Sequence, residues 1–158
     1  MTLSALLRGA AVAAALPFAA LPLAALAGEC PADKVVADSG MKSDAGPKDV
    51  TDTVIGSIDL KDEAPKLDGR LFRLRRLEIQ PGGIVPWHSH AERPAIIYII
   101  EGEMTEHSST CAVPIVHKAG EVAQETHAVA HWWENTGTAK AVLLSADIFP
   151  DHMDKDMM

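Results

Sequence analysis

The chain has 158 residues, 47% of them hydrophobic, with 22 Asp and Glu against 14 Lys and Arg and two cysteines. That is material for one domain with one core, and the apolar fraction excludes wholesale disorder. The formal charge of −8 argues against a surface built for phosphate backbones, so nucleic-acid binding is set aside.

From Leu3 to Ala27 the only charged residue is Arg8. Arg8 followed by the apolar stretch Gly9–Leu26 and the A-x-A sequence Ala25-Leu26-Ala27 reads as a secretory signal peptide over residues 1–27. The competing reading is an uncleaved membrane anchor, which Pro17 and Pro22 and the small residues at the end disfavour. A lipoprotein anchor fails because Glu29 stands where the lipidated cysteine belongs, with Cys30 one position late. Removal of residues 1–27 takes away one basic group and leaves a mature chain at −9, exported to a periplasmic or extracellular space and not embedded in a membrane.

Residues 28–50 mix Ala, Asp, Lys, Gly and Pro without periodicity and read as an irregular N-terminal extension. Cys30 and Cys111 both lie in the mature chain, where an oxidising compartment allows one disulfide between them. The alternatives are two unpaired thiols or a catalytic thiol, and Cys111 has no basic neighbour in sequence to activate it.

Over residues 51–149 short apolar runs alternate with turn signals. The runs are Val54–Leu60, Leu71–Ile79, Ile84–His90, Ala95–Glu101, Ala112–Val116, Glu121–Glu125, Ala130–Glu134 and Ala141–Phe149, with Pro81-Gly82-Gly83, Arg93-Pro94 and Asn135-Thr136-Gly137 among the punctuation. This spacing predicts an all-β sandwich or barrel and no helix. Arg70, Arg73, Arg75 and Arg76 read as one solvated strand face. His107 and His117 read as solvated loop residues. Residues 150–158 form a polar tail, either frayed or a soft His/Met copper ligand.

Chemistry concentrates at Trp87-His88-Ser89-His90 and at His131. On a strand, residues i and i+2 point to the same face about 7 Å apart, so His88 and His90 can converge on one metal ion with Ser89 turned away. Gly82, His88, His90 and Gly102 stand at the spacings of the first motif of the cupin family, G-x5-H-x-H-x3,4-E-x6-G. Gly120, His131 and Asn135 stand at those of the second, G-x5-P-x-G-x2-H-x3-N. The chain thus resembles the cupins over Gly82–Asn135 and, with flanking strands, over most of 51–149. The resemblance implies a single-domain jelly-roll β-barrel.

It also implies that His88, His90 and His131 are metal ligands. The motif's glutamate is replaced by Ala95, and its proline and glycine by Thr126 and Ala128. Glu92 is the first candidate to substitute for the missing carboxylate, His127 the next, and Glu125 shares their parity; a plain three-histidine site ranks above all of them. Three neutral imidazoles leave an ion its full double charge, which favours an anionic small-molecule ligand or an acidified bound water. Zn²⁺, Fe²⁺, Mn²⁺, Ni²⁺ and Cu²⁺ are not distinguished by such a donor set.

If position 95 faces inward, Ile97 and Ile99 line the pocket and Ile96, Tyr98 and Ile100 lie on the opposite face. Trp133 and Asn135 share parity with His131 and join the pocket wall; Trp132 is packing. The run 95–100 is apolar on both faces, so its outer face calls for a cover, and proteins resembling this one often supply it by forming a homodimer. Three functions fit: a metal-dependent oxygenase, decarboxylase or isomerase; a non-catalytic module binding a small ligand or metal; or a scaffold. No residue outside the ligands is placed as a general base.

Overall fold

The computed structural model describes residues 28–153. The expected signal segment, residues 1–27, lies outside them, as does the end of the polar tail from Asp154. No helix among the described residues is long and apolar enough to cross a membrane.

Eight strands follow a short 3₁₀ turn at Ala32–Lys34: β1 (Lys48–Asp59), β2 (Arg70–Ser89), β3 (Ala95–Glu101), β4 (Glu103–Ser108), β5 (Ile115–Lys118), β6 (Val122–Glu125), β7 (Ala130–Glu134) and β8 (Ala141–Pro150). They form one sheet in the order β5-β4-β7-β2-β8-β3-β6, with β1 paired antiparallel to β2. The sheet curls into a nearly closed jelly-roll barrel, the all-β fold that the turn spacing predicted.

Period-2 burial explains the curl. In β2 the inward side chains are Arg73, Arg75, Leu77 and Ile79, then Val85; in β3 they are Ala95, Ile97 and Ile99. With Met104, Ala123, Trp133, Ala141 and Leu143 the apolar members of these sets fill one core. Each fully buried Ile or Leu contributes about 1.5–3 kcal/mol of transfer free energy.

Four elements differ from the sequence expectation. Pro81-Gly82-Gly83 is not a turn between two strands; β2 runs through it, pairing with β8 over Arg70–Ile79 and with β7 over Ile84–Ser89. The bend is possible because Gly83 has no side chain: a Cβ there would stand 2.7 Å from Cγ2 of Ile79 and 2.9 Å from the Asp49 carbonyl oxygen. Strand β4 occupies a stretch too polar to register as a strand, and β5 begins at Ile115, three residues beyond the expected start of its run at Ala112. Strand β1 begins at Lys48, inside the stretch expected to be irregular.

The arginine cluster is corrected most sharply. Arg73 and Arg75 are 3% and 5% exposed, because their side chains point into the barrel. Arg73 donates two hydrogen bonds to Asp147, at 3.0 and 2.7 Å, while Arg75 pairs with Asp52 and donates to Ser145 Oγ at 3.0 Å. Arg70 and Arg76 remain at the surface, Arg70 donating to the Glu92 carbonyl oxygen at 2.8 Å and Arg76 pairing with Glu78. Ahead of the barrel, Cys30 and Cys111 are joined in a disulfide across 81 positions, and residues 34–39 run beside the 109–112 loop through backbone hydrogen bonds.

Candidate metal centre

His88 and His90 stand at the end of β2 and His131 on β7, directly opposite His88 in the register of the two strands. The alternation of β2, carried one residue past its end at Ser89, brings the His88 and His90 rings to one face, and the pairing with β7 delivers the third. Nε2 of His131 lies 3.1 Å from Nε2 of His88 and 3.1 Å from Nε2 of His90. Each Nδ1 is already committed. Those of His88 and His90 donate to the Pro86 and Arg93 carbonyl oxygens at 2.9 and 2.7 Å, and that of His131 to Glu106 Oε1 at 2.8 Å.

This commitment fixes the tautomers. A carbonyl or carboxylate oxygen can only accept, so each Nδ1 carries the proton and each Nε2 presents a lone pair. Three lone pairs therefore face one another in a mostly buried space. Burial first, then the charge of His131, holds His90 down at about 3, and the same two causes hold His88 well below the usual imidazole value. The His88 and His90 rings are neutral at physiological pH, the state a divalent ion requires of them.

The carboxylate behind His131 went unnoticed in the sequence. Glu106, on β4, is buried and accepts from Nδ1 of His131 with one oxygen and from Nε2 of His117 with the other, at 2.9 Å. Burial works to raise its carboxyl, but hydrogen bonds from His117 and His131 hold it down at about 2. His117 is thus no solvated loop residue: it is 1% exposed, on β5, with its ring stacked on Trp133 at 4.5 Å. His107 is also drawn in, stacked on Trp132 at 3.9 Å, and the Trp132 indole donates to the Met41 carbonyl oxygen. Trp132 packs, as its position suggested.

The candidate replacements for the missing carboxylate separate. Glu92 is exposed beyond the end of β2 and faces His152 at 3.3 Å. His127 is exposed in the loop before β7. Neither reaches the three rings, because the parity that suggested them ends with β2 at Ser89 and with β6 at Glu125. Glu125 does reach inward. It is the β6 partner of Ala95, and its Oε2 lies 3.4 Å from Nδ1 of His131, on the side of the ring away from the converging Nε2 atoms. Burial and then the charge of Glu106 push its carboxyl up to about 9. Its Oε1 has no hydrogen-bond partner among the described residues.

A cavity of about 30 Å³ adjoins the three rings, lined by Leu77, Val85, Ile97, Trp133 and Leu143 with Arg75 and Ser145 as its polar members. That is room for one or two water-sized groups. Ile99 is buried in the core below this lining, and the Asn135 amide is spent on the Ile79 and Ala139 carbonyl oxygens. The Tyr98 hydroxyl is on the outer face, away from the rings. Arg73, Arg75 and Arg93 stand around Asp147, with Asp52 paired to Arg75, and of these guanidiniums Arg75 reaches the cavity beside the rings.

The comparisons with known proteins agree with this architecture. The Cupin domain family matches residues 75–147, which span β2 through β8. A germin-like protein, subfamily 2 member 2, of Arabidopsis thaliana is 31% identical over 88 residues, covering 54% of this chain and 40% of that protein. Nectarin-1 of Nicotiana plumbaginifolia is 31% identical over 88 residues, 54% of this chain and 38% of its own length. The chain therefore aligns with less than half the length of these relatives. Among solved structures, one described as a predicted oxalate decarboxylase from Thermotoga maritima is 26% identical, with a TM-score of 0.50 over 63% of this chain and 80% of that one. KdgF from Halomonas sp. shares the fold at a TM-score of 0.52 and 11% identity, over 70% and 84% of the two chains. With the motif histidines gathered at one end of the barrel and a family match running across seven of its strands, the chain belongs to the cupin superfamily.

Proposed function

We propose that this is an exported protein that binds one divalent metal ion through His88, His90 and His131 and acts there on a small carboxylate, as a decarboxylase or oxygenase. The observation that carries the reading is the convergence of three Nε2 atoms, that of His131 lying 3.1 Å from each of the other two, with every Nδ1 engaged elsewhere. Three acceptors facing one another repel unless a cation lies between them. When bound there, a divalent ion would supply Lewis-acid polarisation of a ligand oxygen or a site for O₂.

The chain's own residues set the ligand class. Among the described residues no carboxylate lines the cavity at the Nε2 atoms, while the Arg75 guanidinium does, so an anion is favoured. The Arg75 guanidinium and Ser145 hydroxyl can orient one end of it, while Leu77, Val85, Ile97 and Leu143 keep bulk water away. The narrow cavity favours a ligand of a few heavy atoms. The name carried by the Thermotoga maritima structure supports a dicarboxylate as the first substrate to try.

Protein purified without an affinity tag or added metal should hold about one divalent ion per chain by elemental analysis, and His131→Ala should lose it. No ion, and no uptake on reconstitution, overturns the reading. Carbon dioxide release and oxygen consumption across small carboxylates, oxalate included, then distinguish turnover from simple binding. Binding alone is the second reading, favoured by the absence of any acid or base among the cavity's polar members beyond the ligands, Arg75 and Ser145.

The outer sheet face supports a homodimer. Phe72, Leu74, Ile96, Tyr98 and Val122 are exposed there, and the register joins them across β2, β8, β3 and β6 through Ile148, Ala146 and Leu144. A contiguous apolar face of this kind marks an association surface. Light scattering should give twice the monomer mass, and Tyr98→Glu should return it to one; a monomeric native protein overturns the assignment.

A further inference from the structure

Behind His131, on the side away from the converging Nε2 atoms, lies a second cavity of about 320 Å³. Its walls include Glu106, Glu125, Ser108 and Thr110 from the barrel and Gly28, Glu29 and Cys30 from the N-terminal segment. That segment is held in place by the Cys30–Cys111 disulfide and by backbone hydrogen bonds at Val36, Ser39 and Ala112. Next to Gly28 is a buried acceptor without a donor. The Nε2 of His117 is engaged by Glu106, which leaves Nδ1 as the acceptor of the neutral ring, and that atom has no hydrogen-bond partner among the described residues. A Cβ placed on Gly28 would stand 3.1 Å from this Nδ1 and 3.2 Å from Oε2 of Glu121. The α-nitrogen of Gly28 is two bonds from that point, about 2.5 Å away.

Gly28 is also the residue that cleavage after Ala27 would leave first. We propose that the α-ammonium of Gly28, freed by that cleavage, is a built part of the molecule: it docks between Nδ1 of His117 and the carboxylate of Glu121, and so completes a hydrogen-bonded chain from the N-terminus through His117 and Glu106 to the Nδ1 of His131. The inference rests on the export reading given above. An uncleaved chain has at this position a peptide N–H, one donor without charge. The ammonium has three donors and a full charge, enough to serve His117 and Glu121 together. A buried ring nitrogen without a partner is destabilising, and docking supplies that partner. A side chain at Gly28 would crowd His117, so the site fits glycine as first residue. Glu106 is shared by His117 and His131, so whatever orders His117 also orders the carboxylate that holds the third ring. Gly28 is in this sense a positioning residue for the metal centre.

The test has two stages with separable failures. Intact mass and N-terminal sequencing of the exported full-length chain should show Gly28 first; any other first residue overturns the cleavage point and this inference with it, while leaving the metal reading in place. Protein that begins at Gly28 is then compared with the same protein extended by Ala27, both with the disulfide formed. Two readouts follow. The α-amine should react with an amine-selective reagent at least ten-fold more slowly in the folded protein than in the same protein in urea. Its His117 Nδ1 should show a ¹⁵N shift that moves on extension, together with a three- to ten-fold loss of Co²⁺ affinity. Labelling at the unfolded rate, or identical His117 signals and Co²⁺ affinity in the two forms, overturns the docking.

Discussion

Glu106 decides how the third ring is held. It is the only carboxylate in hydrogen-bond contact with His131, at 2.8 Å, among the described residues, and it is kept ionised by two imidazole donors. Carboxylate partners of this kind raise ligand basicity and lock ring orientation, and their loss costs 10- to 100-fold in metal affinity. Glu106→Gln is therefore expected to weaken divalent-ion binding by about that factor, since the amide can accept from one histidine only by presenting N–H groups to the other. Competition with a chelator measures the effect, and circular dichroism should show the fold unchanged. An affinity equal to the native one would refute the role. The three rings themselves were legible because strand parity and motif spacing both point to them. Glu106 was not, because it sits in Glu103-Met104-Thr105-Glu106-His107-Ser108, a strand whose inward face is polar at the site and so lacks the apolar alternation that marks a strand. Glu92 and His127 failed for the complementary reason: parity was carried past strand ends, where it no longer constrains direction.

At the scale of elements the site depends on one bent strand. Strand β2 has 20 residues; its first half pairs with β1 and β8 and its second half with β7, so the bend at Gly82-Gly83 aims His88 and His90 at His131. In sequence Pro-Gly-Gly is a turn signal between two runs, because turns and strand bends use the same residues and only the pairing partners distinguish them. A methyl group at Gly83 meets Cγ2 of Ile79 and the carbonyl oxygens of Gln80 and Asp49, all under 3.0 Å, and two of the three are backbone. Gly83→Ala should therefore cost about 1–3 kcal/mol in urea unfolding. Because the bend moves with it, metal affinity should fall as well, unlike in a variant destabilised equally far from β2. Unchanged stability would mean that β1 and β2 can part at Asp49 without loss. The buried face of β2 also shows why Arg73 and Arg75 were misread: charged residues at alternate positions look like a solvated face until Asp147, 74 and 72 positions away, is seen to lie opposite them.

For the whole molecule the buried ionisable groups set opposing slopes of stability against pH. His88 and His90 are depressed in the folded protein, His90 to about 3, so between that value and 6.5 the unfolded chain binds protons that the native one does not. Stability is thus intact above 6.5 and falls as the pH drops, by about 1.4 kcal/mol per pH unit for His90 in that window, with His88 adding in the same direction. Glu106, held at about 2, adds to the acid loss below its ordinary 4.5. Glu125 acts in the other direction. Its carboxyl is raised from 4.5 to about 9, so the native protein holds a proton that the unfolded chain releases, and stability falls as pH rises through that range. Between 4.5 and 6.5 the two histidines outweigh the one carboxyl, and above 6.5 only the carboxyl remains. Metal-stripped protein should therefore be most stable near pH 6.5, with losses on both sides. Urea midpoints measured from pH 4 to 9 check this, and Glu125→Gln should abolish the alkaline decline while leaving the acid one. An alkaline decline that survives in Glu125→Gln would show that Glu125 is ionised in the fold, with its charge compensated inside the carboxylate-lined cavity.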